Sequence, residues 1–353
     1  MDQYTVTVRT STTYDVVIGA GLLGQAGAYL RSCTAAQRVL LVSDRNVYRR
    51  YGAAVTQAMA GFSVSPFVIE PGEGAKSMET LAKLLNAAAG HGLRRQDGIV
   101  ALGGGVVGDL AGLAAALYMR GIPYVQMPTT LLSAVDASVG GKTAVDLPGG
   151  KNLAGAFWQP ACVLCDCTAL DTLPPGEFAN GMAEVIKYGV IRDPEILSAA
   201  ERGATGLPRL IARCVAIKRD LVEADERDVG VRRLLNFGHT IGHALEKASG
   251  YTLGHGAAVA VGMVYATKLA EQTGLCAGMS PRLSRCLEKY GLPVSPAYPW
   301  QMLVPLMELD KKNAGSRAVT MVLPLTWGQC QLVAFPPEEL LARLTEIDRE
   351  DKT

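Results

Sequence analysis

Histidine is scarce in this chain, four residues in 353. Net charge is nearly lacking: 34 Lys plus Arg stand against 33 Asp plus Glu. No global basic field therefore exists to hold nucleic acid or an anionic membrane, although basic residues can still converge on one small anion. Long hydrophobic runs are missing as well. The longest, Ala257 to Ala266, falls far short of the roughly 20 residues a membrane helix needs. Met1 to Asp15 contain no apolar signal segment. The expectation is a soluble cytoplasmic protein with no nucleic-acid or membrane partner. Eight cysteines are scattered, and no second CxxC answers Cys162 and Cys165. Their setting, Ala161 to Asp166, reads as a buried strand in which free cysteine behaves as a small hydrophobe rather than a metal ligand. No internal repeat or low-complexity segment is present.

The hydrophobic fraction is 49%, ample for real cores, and 353 residues call for two domains. Strands alternate with helices up to about residue 170, which predicts an α/β domain with a largely parallel sheet. After Leu173-Pro174-Pro175 the pattern turns mainly helical, so the expected division is 1–173 and 174–353. Helices are expected over 178–188, 195–202, 207–226, 234–249, 257–273 and 281–290.

Because histidine is scarce, its placement carries weight. His239, His243 and His255 fall within 17 positions. On a helix the i, i+4 spacing of His239 and His243 puts both imidazoles on one face, and Glu246 continues that face. Imidazole is the commonest metal ligand and the usual physiological acid or base. Spacing alone nominates His239 and His243 as a metal pair, with an ordinary surface or core pair as the alternative. Glu184 and Lys187, at i, i+3, read as one face of a helix or as a plain ion pair.

Two glycine turns compete for a phosphate. Gly19-x-Gly21-x-x-Gly24 follows a β-branched strand, and Asp44 lies 20 residues beyond it. This is the outline of a dinucleotide-binding βαβ unit, or equally a simple turn. Gly103-Gly104-Gly105 follows the strand 97–102 and precedes an apolar helix expected over 110–119. Successive glycines at a helix N-terminus let backbone N–H groups approach an anion. Lys142 and Lys151 stand on glycine-rich stretches read as loops, 136–143 and 149–152, suited to an anionic substrate. The Walker pattern fails there, because position 136 is Asp.

With these motifs in place, the chain resembles the sugar phosphate cyclases, and among them the 3-dehydroquinate synthases. The resemblance runs from about Tyr14 to Lys312 and rests on six stretches: 103–112, 128–146, 150–160, 181–189, 234–246 and 310–312. It implies a Rossmann-like N-terminal domain, a mainly helical C-terminal domain, and an NAD- and zinc-dependent lyase, with Co2+ as a substitute metal. The implied substrate is a seven-carbon sugar phosphate. Transient oxidation, phosphate β-elimination, re-reduction and aldol closure would give 3-dehydroquinate. The family's zinc ligands match Glu184, His239 and His255, leaving His243 in the substrate site. Lys142, Asn236 and His243 match phosphate contacts, helped by Arg120, which in the family reaches across a homodimer. Lys218, Arg232 and Lys312 (or its neighbour Lys311) match carboxylate contacts; Asp136, Asn152 and Lys187 match groups that order hydroxyls. On the cofactor side the matches are Asp44, Asn46, Glu73, Lys76, Gly104, Gly105 and Asp109, with Thr129, Thr130 and Lys151. The resemblance assigns the Gly19 turn no part in binding. Asp228 stands where many members carry Glu, and Ala257 follows His255-Gly256 where many carry Glu. A secondary-metabolite aminodehydroquinate synthase shares almost all these motifs. A glycerol-dehydrogenase-like oxidoreductase shares the metal style but gives Lys142, Lys218, Arg232 and Lys312 no reason to converge.

Overall fold

The computed structural model describes residues 2–308 and 318–350. Two compact units emerge: Met1–Phe178 with Gly206–Arg227, and Ala179–Thr205 with Asp228–Thr353. The segment 206–227, read from sequence as part of the helical half, thus belongs to the first unit. Its helix Leu207–Ala224 is tied there by polar contacts: the Arg9 N–H donates to Glu223 Oε1 (2.6 Å) and the Ser11 N–H to Glu226 Oε2 (3.0 Å).

The first unit is built on strands β1 (Tyr4–Arg9), β2 (Thr13–Gly19), β3 (Arg38–Asp44), β4 (Ser63–Ile69), β5 (Gly98–Gly103), β6 (Tyr124–Pro128), β7 (Lys142–Leu147), β8 (Gly150–Phe157) and β9 (Cys162–Asp166). Seven of them form one sheet in the order β1-β2-β9-β6-β5-β3-β4. Only the β1–β2 pair is antiparallel. Side chains alternate across this sheet, as the two-residue period of a strand requires. Val39, Leu41, Val100 and Leu102 join the core that includes Ala26 and Leu30 of the helix Ala26–Cys33. Leu40, Val42, Ile99 and Ala101 join the opposite core, with the helices Met78–Gly90 and Gly105–Leu117. Both faces are covered, which is why these strands read as continuous apolar runs. Cys162, Cys165 and Cys167 are buried free thiols, as the strand reading predicts.

The strand order fixes where a ligand belongs. After β3 the chain moves outward to β4; after β5 it moves the other way to β6. The switch point therefore lies between β3 and β5, and open α/β sheets bind ligands outside the carboxyl ends of such strands. Asp44 ends β3 and Gly103 ends β5. The Gly19 turn follows β2, with three strands (β9, β6 and β5) between it and β3, away from the switch. Its amides are already taken: Asp166, 2% exposed, accepts from the N–H groups of Gly21 (3.0 Å) and Leu23 (2.9 Å). A phosphate there would displace a buried carboxylate. Asp166 also accepts from the N–H and hydroxyl of Thr168 (3.0 and 2.7 Å). Asp166→Ala should therefore cost about 2–4 kcal/mol in urea unfolding, because buried donors lose their acceptor; an unchanged midpoint would refute this role for Asp166.

Lys142 and Lys151, expected on loops, stand instead on an antiparallel hairpin, β7 with β8, while 138–141 is a turn as expected. The expectation missed it because β8 is mostly solvent-accessible, so its glycines and lysines show no apolar alternation.

The second unit is helical, with helices Pro194–Glu201, His239–Ala248, His255–Gln272, Ser280–Glu288, Trp300–Glu308 and Pro337–Glu350, and most of Pro175–Ile191. One antiparallel hairpin, β10 (Val319–Thr326) with β11 (Gln329–Phe335), completes it. The helix His255–Gln272 is buried nearly all round, as its apolar sequence demands. The single helix expected over 234–249 is broken. Val231–Asn236 forms a 3-10 turn, Gly238 takes a left-handed φ of 80°, and the α-helix begins only at His239. A Cβ on Gly238 would lie 2.6 Å from Met263 Cγ, and one on Gly262 would lie 1.9 Å from the Gly238 carbonyl. This close glycine contact presses the start of one helix against the flank of the helix that His255 opens. No helix among the described residues is long and apolar enough to cross a membrane.

Candidate functional site

In the helical unit, three segments bring Glu184, His239 and His255 together. One ligand atom from each lies within 4.8 Å of the others. Glu184 sits on Pro175–Ile191, and each histidine opens its own helix. Glu184 is 0% exposed, and among the described residues neither of its oxygens accepts a well-formed hydrogen bond. His239 Nε2 and His255 Nε2 both stand 3.6 Å from Glu184 Oε1. The other ring nitrogens are tied back. His239 Nδ1 meets the Phe237 carbonyl at 3.1 Å, and His255 Nδ1 meets Glu246 Oε2 at 3.4 Å. Donation from Nδ1 is the arrangement a metal ligand needs, because it would leave each Nε2, once it carries no proton, free to ligate beside the carboxylate. His243 is close, with ring centroids 5.6 Å from His239 and 6.5 Å from His255, but it stands outside the three-ligand group. The i, i+4 spacing thus nominates a different pair from the one the fold assembles.

Lys187 is 1% exposed and ion-pairs with Glu184, one helical turn away. Burial, then the Lys187 charge and the neighbouring imidazoles, hold His239 well below its usual pKa. Burial also opposes charge on His255, but the Glu184 and Glu246 carboxylates outweigh it and push its pKa up to about 10. Arg232 is buried in the same unit, and the Asn236 side-chain amide donates to the Arg233 carbonyl (2.9 Å). Lys311 and Lys312 lie outside the described residues.

The α/β unit carries a second cluster. Lys76, 5% exposed, donates to Asp109 Oδ2 and to Asn152 Oδ1, each at 2.5 Å. Burial works against the Lys76 charge, and Asp109 outweighs it, so the ammonium is held above its ordinary pKa. Glu73 Oε1 stands 4.0 Å from both Lys76 and Lys151. Beside them is the glycine turn. The helix starts at Gly105 with Gly104 as its cap, five residues earlier than the sequence suggests, so Asp109 is already on the helix. The first-turn N–H groups of such a helix are open to an anion. Thr129 N–H donates to the Gly103 carbonyl (3.0 Å), while its own buried hydroxyl has no hydrogen-bond partner among the described residues. Thr130 Oγ1 accepts from the Ser133 N–H (3.2 Å). At the end of β3, Asp44 Oδ1 caps the turn that holds Asn46, accepting from Asn46 (2.9 Å) and Val47 (3.1 Å).

Asp136 lies in a π-helical turn, Ser133–Ala137, a form common at functional sites. Its Oδ1 pairs with Lys218 Nζ at 2.6 Å, and the same ammonium donates to the Asp136 carbonyl. Lys142 opens β7 as an exposed residue. Arg120 is exposed at a left-handed turn, φ 67°, with Leu117 and Met119 exposed just before it. Glu246 was visible in the sequence only as a continuation of the histidine face. Its partner, His255, is on another helix, so no spacing rule could pair them.

A parallel sheet with a glycine turn at its switch point, joined to a helical unit with a Glu-His-His cluster, is the architecture of the sugar phosphate cyclases. The chain is similar to a solved 2-deoxy-scyllo-inosose synthase complexed with carbaglucose-6-phosphate, NAD+ and Co2+, at 26% identity and TM-score 0.88, covering 97% of this chain and 99% of that one. It is also similar to the 2-epi-5-epi-valiolone synthase of Streptomyces hygroscopicus subsp. jinggangensis with NAD+ and Zn2+ bound, at 30% identity and TM-score 0.86, covering 98% and 100%. Within that class the sequence is more specific. The N-terminal 3-dehydroquinate synthase family matches residues 66–180 and the C-terminal family 181–313. The 3-dehydroquinate synthase of Enterococcus faecalis OG1RF is 44% identical over 351 residues, covering 96% of this chain and 98% of that relative. The chain belongs to the 3-dehydroquinate synthase family.

Proposed function

We propose that the protein converts 3-deoxy-D-arabino-heptulosonate 7-phosphate to 3-dehydroquinate and phosphate. The observation that carries this reading is the Glu184-His239-His255 cluster, with its carboxylate buried, in a chain of this family. The donor set fits zinc: one carboxylate without a well-formed hydrogen bond and two imidazoles with tied-back Nδ1 atoms. Three protein ligands leave positions open, as a catalytic site needs. When bound, zinc (or cobalt in its place) supplies Lewis-acid polarisation of a substrate hydroxyl. NAD, cradled by Asp44, Asn46, Gly104, Gly105, Asp109, Thr129 and Thr130 with Glu73, Lys76 and Lys151, supplies a transient hydride acceptor.

The remaining groups bind and orient. Lys142, Asn236 and His243 take the phosphate, and Arg120 serves it across a homodimer. A monomer by sedimentation would remove Arg120 from the site. Lys218 and Arg232 pair the carboxylate, joined by Lys312. Asp136, Asn152 and Lys187 order the hydroxyls. Lys218 spans two of these tasks, since it already holds Asp136 in place. Lys187 ion-pairs with Glu184, which sets its ammonium beside the candidate metal ligand.

Glu246→Gln keeps the size of the side chain and removes the charge behind His255. It should weaken zinc binding about tenfold in a competition titration; unchanged affinity would remove Glu246 from the metal's support. The reaction itself is tested by product formation from the heptulosonate phosphate and from its 4-amino analogue, side by side. Faster turnover of the oxygen substrate is expected. Preference for the amino substrate would replace this reading with that of an aminodehydroquinate synthase.

A further inference from the structure

Asp146 has no part in the sites described so far, yet it touches two of their residues. It sits on β7 at a register shift between Val145 and Leu147, where the β7–β8 ladder is interrupted. Such a bulge re-aims a side chain. The Asp146 N–H donates to the Lys76 carbonyl at 2.8 Å. Its carboxylate Oδ1 accepts from the Asn152 N–H at 2.7 Å. Asn152 has a φ of 54°, in the left-handed region that most residues with a Cβ avoid and that asparagine enters when a local contact favours it. In that conformation its side-chain carbonyl meets Lys76 Nζ at 2.5 Å. One residue therefore grips the backbone of Lys76 with its amide and the backbone of Asn152 with its carboxylate. The two gripped residues then meet each other through their side chains.

We propose that Asp146 is a positioning residue: by accepting the Asn152 amide it holds that residue in its left-handed conformation, so that Asn152 and Lys76 are set for their ligands. This rests on the site roles given above to Asn152 and Lys76. The bare alternative is a hairpin-tip contact that only stabilises β7 and β8. The two make different predictions, because a positioning residue acts through its target and a purely structural one does not.

The test is a double-mutant cycle in the full-length, zinc-loaded protein, with Asp146→Ala and Asn152→Ala singly and together. Asp146→Ala should lower kcat/KM about tenfold in the parent, a loss expected from sub-ångström misplacement of a substrate-ordering group. In the Asn152→Ala background the same change should cost less than about twofold, since its target is gone. Asp146→Asn, which loses the charge but keeps an oxygen acceptor, should restore most of the activity lost in Asp146→Ala and so separates geometry from charge; it also serves if the alanine variant folds poorly. Equal losses in both backgrounds, no loss in the parent, or an asparagine variant as impaired as the alanine one would overturn the proposal. Full activity in Asn152→Ala alone would sink the role of Asn152, and the proposal with it, and is distinguished from the other failures by that single variant.

Discussion

His255→Ala is expected to lose zinc and turnover together. His255 supplies one of only three ligand atoms in the cluster, and its Nε2 faces Glu184 Oε1 across 3.6 Å. Lewis-acid stabilisation is worth several kcal/mol, so its loss should slow turnover by on the order of a thousandfold or more. The fold should survive, because His255 opens its helix as a partly exposed residue rather than filling the core. Metal analysis of the purified variant, beside circular dichroism, checks both halves. A variant that remains active and zinc-replete would remove His255 from the metal site.

The second large effect concerns Lys187. In the metal-free protein Glu184 is fully buried; its nearest counter-charge is Lys187, itself 1% exposed, with the His255 imidazole, whose pKa is raised, 3.6 Å away. Removing one partner of a buried ion pair costs about 3–5 kcal/mol when the other charge is left alone, and the His255 imidazole beside Glu184 sets the loss toward the lower end. Lys187→Ala should therefore unfold at markedly lower urea when a chelator is present. Added zinc should recover much of the loss, since the metal gives Glu184 a new counter-charge and binds the assembled ligands of the folded state in preference to the unfolded chain. Activity should not return with stability, because the hydroxyl donor is still missing. A chelated variant as stable as the parent would mean that the Glu184 carboxylate does not depend on Lys187.

What could be read from the sequence follows from how local each signal is. The parallel sheet was legible because both of its faces are buried, which writes β3, β5 and β9 as unbroken apolar runs. The triple glycine was legible because it borders such a strand. The ligand cluster was only half legible. Three histidines in 17 positions announce a site, but the spacing rule favours His239 with His243. The fold instead turns the chain at Gly238 and brings His255 in from the next helix. That choice depends on the Gly238–Gly262 contact, which spans two helices and leaves no local periodicity. Resemblance to the family carried what spacing could not. The Gly19 turn shows the converse. Its motif is complete, and the reason against it, Asp166 on its amides, lies some 145 residues away in the chain. Asp146 was hidden for the same cause: the hairpin that aims it reads locally as two polar loops.

In the proposed reaction NAD is used and returned within each turnover. The most direct measurement is the phosphate released per NAD supplied, with NADH absorbance followed in the same cuvette. The purified protein would be given zinc, heptulosonate phosphate and NAD far below the substrate concentration. Many phosphates per NAD, with no build-up of NADH, is the predicted result. NADH accumulating in step with substrate consumed, without phosphate release, would contradict it and describe a simple dehydrogenase.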